Sequence, residues 1–374
     1  MKTKFNVALC LIALCASVSA NPINERTSIY TSTDVDGATN VSLADQLGIK
    51  QDGTATTNTD WTADVASRIQ LHGYAQGWYY AQKNGDKSSN SFLCKRTIFW
   101  ANAKITDRWS FQFMHDFNSV VQEYFTDLRV MPNNNLLTVR FGQFKHGLSY
   151  ENPLSPTAME TIDVYSEGVT YLTGCGSDPL NGVQYGREQG IALFGETDNK
   201  MLRYEVDLLN GSGINVKDKD NNKVVVGRLE VRPLKGLNIC VTGQIGKGTA
   251  LVDSTIFNPT MSLGELYDRN RFTAGFDFKS AHFNIHGEYL EGTDGNVDSR
   301  GVYLTGNVPI VADKFDIIGS YDYFCFNTNT EADMHKVVVG VQYWFFKKCR
   351  FQVQYVYKSA NTDYRSFFKH EACH

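Results

Sequence analysis

Runs of strand length that alternate apolar with charged residues constrain this chain more than anything else in it. Phe351, Val353, Tyr355 and Tyr357 share one parity, while Arg350, Gln352, Gln354 and Lys358 share the other. A period of two puts such sets on opposite faces of a β-strand. Val337, Val339, Val341, Tyr343 and Phe345 repeat the apolar stripe, as do Trp109, Phe111 and Phe113. The second face decides the class. It carries Arg203, Glu205 and Asp207 on one run, Arg228, Glu230 and Arg232 on the next, then Arg271, Asp277 and Lys279. A soluble sandwich or propeller would have to bury those charges at prohibitive cost. A barrel in a membrane turns the apolar face to lipid and the charges to a water-filled lumen. The expected fold is all-β, a transmembrane antiparallel β-barrel.

The N-terminus agrees with that destination. Met1 to Lys4 is basic, Val7 to Ala16 is apolar, and Val18-Ser-Ala20 is a small-residue cleavage site. This is the pattern of an export leader, and its core is too short to span a bilayer. Residues 1–20 are therefore expected to be removed, and the rest exported to the outer membrane of a Gram-negative cell. Without Lys2 and Lys4 the 36 basic residues fall to 34 against 40 acidic, a net charge of −6. That balance offers no basic footprint for nucleic acid. No later run approaches the 18 apolar residues of a membrane helix. Mean hydropathy is −0.31, a value a barrel shares with soluble proteins because only alternate residues meet lipid.

Residues 21–66 are rich in Thr, Ser, Asn, Asp and Gly, with one candidate short helix at Val41 to Leu47, and read as a mobile or plug-like leader. From residue 67 to 374 the alternating texture persists as one domain. Short turns (Thr106-Asp-Arg108, Pro132 to Asn135, Asp198-Asn199, Leu234-Lys-Gly236, Lys347-Lys348) largely alternate with longer connections. The longer ones are Gly211 to Asn222, Gly248 to Asp268, Gly292 to Ser299 and Asn327 to His335. The count is fifteen strands and an optional sixteenth. One connection stands apart. After the strand Val139-Arg-Phe-Gly-Gln-Phe-Lys145, residues 147–186 keep no period and hold Glu151, Glu160, Asp163, Glu167 and Asp178 without one Lys or Arg. A loop of that length is what a pore needs to narrow its channel from within. Lys145 at its base falls by strict alternation on the lipid face with Phe141, unless a bulge or an interfacial position takes it elsewhere.

Phe92-Leu-Cys-Lys-Arg96, Val139 to Lys145 and Ser149-Tyr-Glu151 resemble the phosphate-selective porin O and P family, from about Arg68 to the last strands. The resemblance implies a 16-stranded outer-membrane barrel, usually a homotrimer, with loops folded inward and no cofactor. It also implies a ladder of arginines and a cluster of lysines that conduct anions such as phosphate. Arg140, Arg203, Arg228, Arg232, Arg271 and Arg350 share the lumen parity and are the ladder candidates; pairing with Glu205, Asp207 and Glu230 would make them plain wall instead. Arg suits a ladder because its charge is permanent and its fork grips phosphate. The constriction candidates are Lys145, Glu151, Glu160, Asp163 and Glu167. Here the chain departs from the family, because acidic groups in a constriction concentrate cations and repel phosphate. A second departure is the ending His370-Glu-Ala-Cys-His374, where the resemblance implies a terminal aromatic.

The expected function is passive diffusion of small hydrophilic or ionic solutes. The alternatives are a barrel enzyme of the protease or phospholipase kind, which would have a smaller barrel, and a structural or adhesin barrel, which would have a filled lumen. His370-Glu-x-x-His374 spells a zinc-protease pattern but lacks the helix that the chemistry requires. His282 and His286 share a strand face at roughly 13 Å, too far apart for one metal. Cys94, Cys175, Cys240, Cys325, Cys349 and Cys373 are scattered through strand-like runs and are expected unbridged.

Overall fold

The computed structural model describes residues 5–19, 67–84, 87–255 and 257–361, the first of these by backbone alone. The Val41 to Leu47 helix and the His370 to His374 tail lie outside them. The strands begin with β1 (Phe5–Ser19), β2 (Ile69–Asn84), β3 (Lys87–Lys104), β4 (Trp109–Asp116), β5 (Val121–Arg129) and β6 (Thr138–Lys145). The long connection then holds helix α1 (Glu167–Thr173) and a small hairpin, β7 (Ser177–Asp178) and β8 (Gly182–Val183). The wall resumes with β9 (Arg187–Glu196), β10 (Leu202–Leu209), β11 (Val224–Leu234), β12 (Leu237–Ile245) and β13 (Lys247–Thr249). It ends with β14 (Leu266–Lys279), β15 (Asn284–Asp294), β16 (Val297–Val311), β17 (Phe315–Asn327), β18 (Ala332–Phe346) and β19 (Cys349–Ala360).

Each wall strand pairs antiparallel with the next, β6 pairing past the hairpin to β9. β12 and β13 both lie along β14 and share one position. Fifteen positions therefore run from β2 to β19, as the alternation suggests. The sixteenth, between β19 and β2, is taken by β1, with Ile12 opposite Val353 on one side and Tyr79 on the other. An unpaired strand edge in lipid is costly, so an apolar run that can satisfy both edges is strongly drawn there. The segment in that position is the one whose sequence reads as an export leader.

The faces sort as the alternation dictates. Phe351, Tyr355 and Tyr357 stand outward, 41 %, 49 % and 37 % exposed, and Trp109, Phe111 and Phe113 do the same on β4. On β10, Arg203, Glu205 and Asp207 point inward and are buried. Charge inside and aromatics outside invert a soluble protein and suit a wall in lipid. The expectation of hydrated lumen charges is corrected in one respect. Most inward polar side chains are buried against the long loop and each other. Two connections read as long are tight turns, because pairing continues through Asp294↔Val297 and Asn327↔Ala332.

Gly142 on β6 has φ +138°, and a Cβ there would stand 2.3 Å from the Tyr124 carbonyl oxygen. Beyond it the alternation breaks, with Gln143 and Phe144 both fully buried. Replacing Gly142 with Ala is expected to destabilise the folded barrel by about 1–3 kcal/mol. Urea unfolding followed by heat-modifiable gel mobility measures it, and an unchanged midpoint would contradict this role.

Candidate functional site

The break at Gly142 delivers Lys145 to the interior rather than to lipid. Its Nζ donates to the Leu154 carbonyl at 2.7 Å and to the Tyr165 hydroxyl at 2.8 Å, both in the loop. The two ends of the loop are tied by one side chain, since Asn152 Nδ2 donates to the carbonyls of His146 (2.9 Å) and Gly186 (3.1 Å). Gly186 has φ +65°, and a Cβ there would lie 1.9 Å from Asn152 Oδ1, so only glycine closes this knot.

From the knot the loop crosses the inside of the barrel. Loop amides dock on wall carboxylates: Gly147 N donates to Asp207 (2.8 Å), Tyr150 N to Glu288 (2.7 Å) and Glu167 N to Asp322 (2.7 Å). Wall donors reach loop carbonyls in return. Arg228 donates to Gly147 (3.2 Å) and Ser149, Arg350 to Met159, and Gln352 and Gln354 each to Glu160 at 2.8 Å. Helix α1 is capped by Ser166 Oγ, which accepts from Val169 N at 3.2 Å, and packs on Leu290, Tyr303 and Phe324. Gly168 lets it approach, because a Cβ there would stand 2.6 Å from Leu290 and 2.7 Å from Phe324. Unpaired backbone groups inside a barrel are costly, so every such bond favours the docked loop.

The loop carboxylates all meet cationic or imidazole groups. Glu167 lies 2.8 Å from Lys358 Nζ and 3.1 Å from Lys336 Nζ, and Asp163 lies 3.8 Å from both. Glu151 and Glu160 flank His286 at 3.3 Å and 3.8 Å, and Asp178 meets Arg269 at 2.6 Å. Lys336 and Lys358 are direct partners across β18 and β19, a like-charge pairing that is unfavourable unless an anion sits between them. Burial opposes ionisation of Asp163 and Glu167, and the fields of Lys358 and Lys336 outweigh it, holding both carboxyls below their usual range. Burial pushes the Glu151 carboxyl up, against its bond to His286.

The ladder candidates have partners as well. Arg140 grips Asp127 with two bonds of 2.7 Å, Arg203 meets Glu205 (2.9 Å) and Glu230 (3.6 Å), and Arg228 meets Glu230 (2.7 Å). Arg232 contacts Glu196 and Glu230, Arg271 meets Asp294 (2.7 Å), and Arg350 donates to Gln342 (3.2 Å). These arginines brace the wall and the loop.

The sequence reading left out Lys95 and Arg96 as lumen residues. The register slips between Gln76 and Gly77, which face Arg96 and Cys94, so Lys95 is the extra residue of a β-bulge. Two consecutive cations thereby turn inward. Lys95 Nζ sits 5.1 Å from the centre of the inward Trp78 ring, and Arg96 donates to Gln76 at 2.9 Å. Both are half-buried, and both add to the field that holds Asp163 ionised. The five described cysteines, Cys94, Cys175, Cys240, Cys325 and Cys349, are unbridged.

No family model and no curated protein matches the chain. Solved structures do. OmpF of Salmonella typhi, in complex with daunomycin, superposes with a TM-score of 0.53 at 11% identity, over 78% of this chain and 97% of that one. OmpT of Vibrio cholerae, an outer membrane protein in its trimer form, gives 0.51 at 15% identity, over 78% and 98%. At such identities the likeness is one of fold, that of a transmembrane antiparallel β-barrel.

Glu167→Gln leaves Lys336 and Lys358 facing each other without their nearest anion, and is expected to cost about 3 kcal/mol of loop docking. Hydrogen exchange of residues 147–186 reads it, and unchanged protection would contradict it. The same exchange carries a pH signature. The lowered carboxyls of Asp163 and Glu167 stabilise the docked loop fully above about pH 4.5. Protection should fade as pH falls through their lowered values.

Proposed function

We propose that the chain is an outer-membrane channel for passive diffusion of small hydrophilic solutes, with small anions such as phosphate the favoured class. The observation that carries this reading is the 147–186 loop, docked across the inside of a barrel by buried ion pairs and hydrogen bonds. Its polar anchors described above lie on β10 to β19 and at Lys145 on β6, while toward β2 it sends Ile162 onto Trp78. The passage then runs between the loop and the wall of β2 to β5. A solute there meets Lys95 and Arg96, with Lys145 behind them and Asp163 opposite. Wall cations neutralise most of the acidic loop, which removes the objection that its composition raises against anions. The solved OmpT of Vibrio cholerae is in a trimer form; we extend a homotrimeric assembly in lipid to this chain, along with cleavage after Ala20.

A planar bilayer with a KCl gradient tests the reading. Single channels are expected with a reversal potential on the anion side, and phosphate should reduce the chloride current. Lys95→Gln with Arg96→Gln removes two charges within a Debye length of about 8 Å, and should lower the anion-to-cation permeability ratio at least about threefold. A potassium preference that the double variant leaves unchanged would overturn the anion assignment. A structural barrel is the second reading, favoured by the burial of most inward polar side chains; folded protein without conductance would establish it. Intact mass of protein from the outer-membrane fraction should begin at Asn21. A retained Met1 would instead keep Phe5–Ser19 as a wall strand.

A further inference from the structure

The end of the barrel opposite the long loop holds a second feature. The loop leaves β6 at its C-terminal end, so the β9–β10, β11–β12 and β14–β15 turns lie together at the other end. Beside them opens a cavity of about 410 Å³, lined by the β9–β10 and β11–β12 turns, the end of β11 and the end of β14. Four cations border it, Lys200, Arg232, Lys235 and Lys279, against the single carboxylate of Asp277. Arg232 is engaged: it bonds Glu196 and Glu230, and donates to the Lys200 carbonyl at 3.3 Å. That bond fixes the turn where Lys200 adopts φ +56°. Lys279 keeps a loose contact with Asp277 at 3.5 Å. Lys200 and Lys235 are exposed and have no ion pair among the described residues. The remaining border is Asn199 and Gly236 with the apolar Pro233, Leu234 and Leu237.

We infer that this recess binds a phosphate group. Lys200, Lys235 and Lys279 outnumber the one bordering carboxylate, Asp277, and leave net positive charge at the recess, where the field is focused. Each ammonium presents three donors to phosphate oxygens. The apolar residues of the border suit the hydrocarbon of a phospholipid beside its headgroup, and short barrel turns face the periplasm, where the inner leaflet supplies such headgroups. Free inorganic phosphate has the same chemistry and is the other source. The turn between β18 and β19, beyond the β16–β17 turn on the same rim, carries Lys347 and Lys348, so it is the natural control for diffuse basicity.

The test uses the full folded protein and no conductance, so it stands or falls apart from the channel reading. Phosphatidylglycerol retention is followed by native mass spectrometry from mixed micelles, and inorganic phosphate alone by calorimetric titration. A lysine at an anionic lipid surface contributes roughly fivefold, so K200A/K235A/K279A should weaken phosphatidylglycerol retention about a hundredfold. K347A/K348A should leave it unchanged, and K200R/K235R/K279R should hold it near the wild-type level. A loss confined to inorganic phosphate would keep the site and assign it to the free anion. Heat-modifiable mobility reports folding; if the alanine triple fails to assemble, the single variants, each about fivefold weaker, read the same site. Wild-type binding of both probes by the alanine triple, or an equal loss in K347A/K348A, would overturn the inference.

Discussion

The interior of this barrel depends on the compensation of buried charge. Lys336 and Lys358 face each other across two strands, and neither position is tolerable unless Glu167 and Asp163 come to them. Those carboxylates in turn have nowhere else inside the barrel to be ionised cheaply. Breaking a buried pair costs about 3–5 kcal/mol, because the partner left behind is an uncompensated charge. The same reciprocity recurs at His286 with Glu151 and Glu160, and at Arg269 with Asp178. The loop is therefore a strut whose position is set by the wall, and the wall charges are tolerated because the strut is there.

On the proposed channel reading, this dependence sets where a solute can go. A loop anchored at Lys145 on β6 and on β10 to β19 leaves its other flank toward β2 to β5, and on that flank a bulge turns Lys95 and Arg96 inward together. Alternation alone would have sent one of the two to lipid. The positive charge on that flank thus rests on a local irregularity of the wall, and the arginines on the lumen parity serve mainly to brace it.

Much of the fold was legible in the sequence for a simple reason. Period-two alternation is local, and charges such as Arg203, Glu205 and Asp207 on one face can be read without knowing their neighbours. The loop was equally legible, because its composition changes abruptly after Lys145. What the loop touches was not legible. Lys336 and Glu167 stand 169 residues apart, so an acidic segment read alone looked like a ring of unopposed negative charge. The inward turns of Lys95 and Lys145 were hidden too, since one depends on a register slip and the other on the backbone angle of Gly142. The tight turns at Gly295 and Glu331 looked longer because polar, Gly-rich strand ends resemble loops until pairing is known.

The central claim is that the docked loop forms the narrow part of the conducting path. Its most direct test places a single thiol at the half-exposed loop carboxylate, by Asp163→Cys in a background with the other cysteines replaced. Current through single channels is then recorded before and after labelling with a bulky thiol reagent. Labelling is expected to close most of the current. Complete labelling with the current unchanged would place the constriction elsewhere and contradict it.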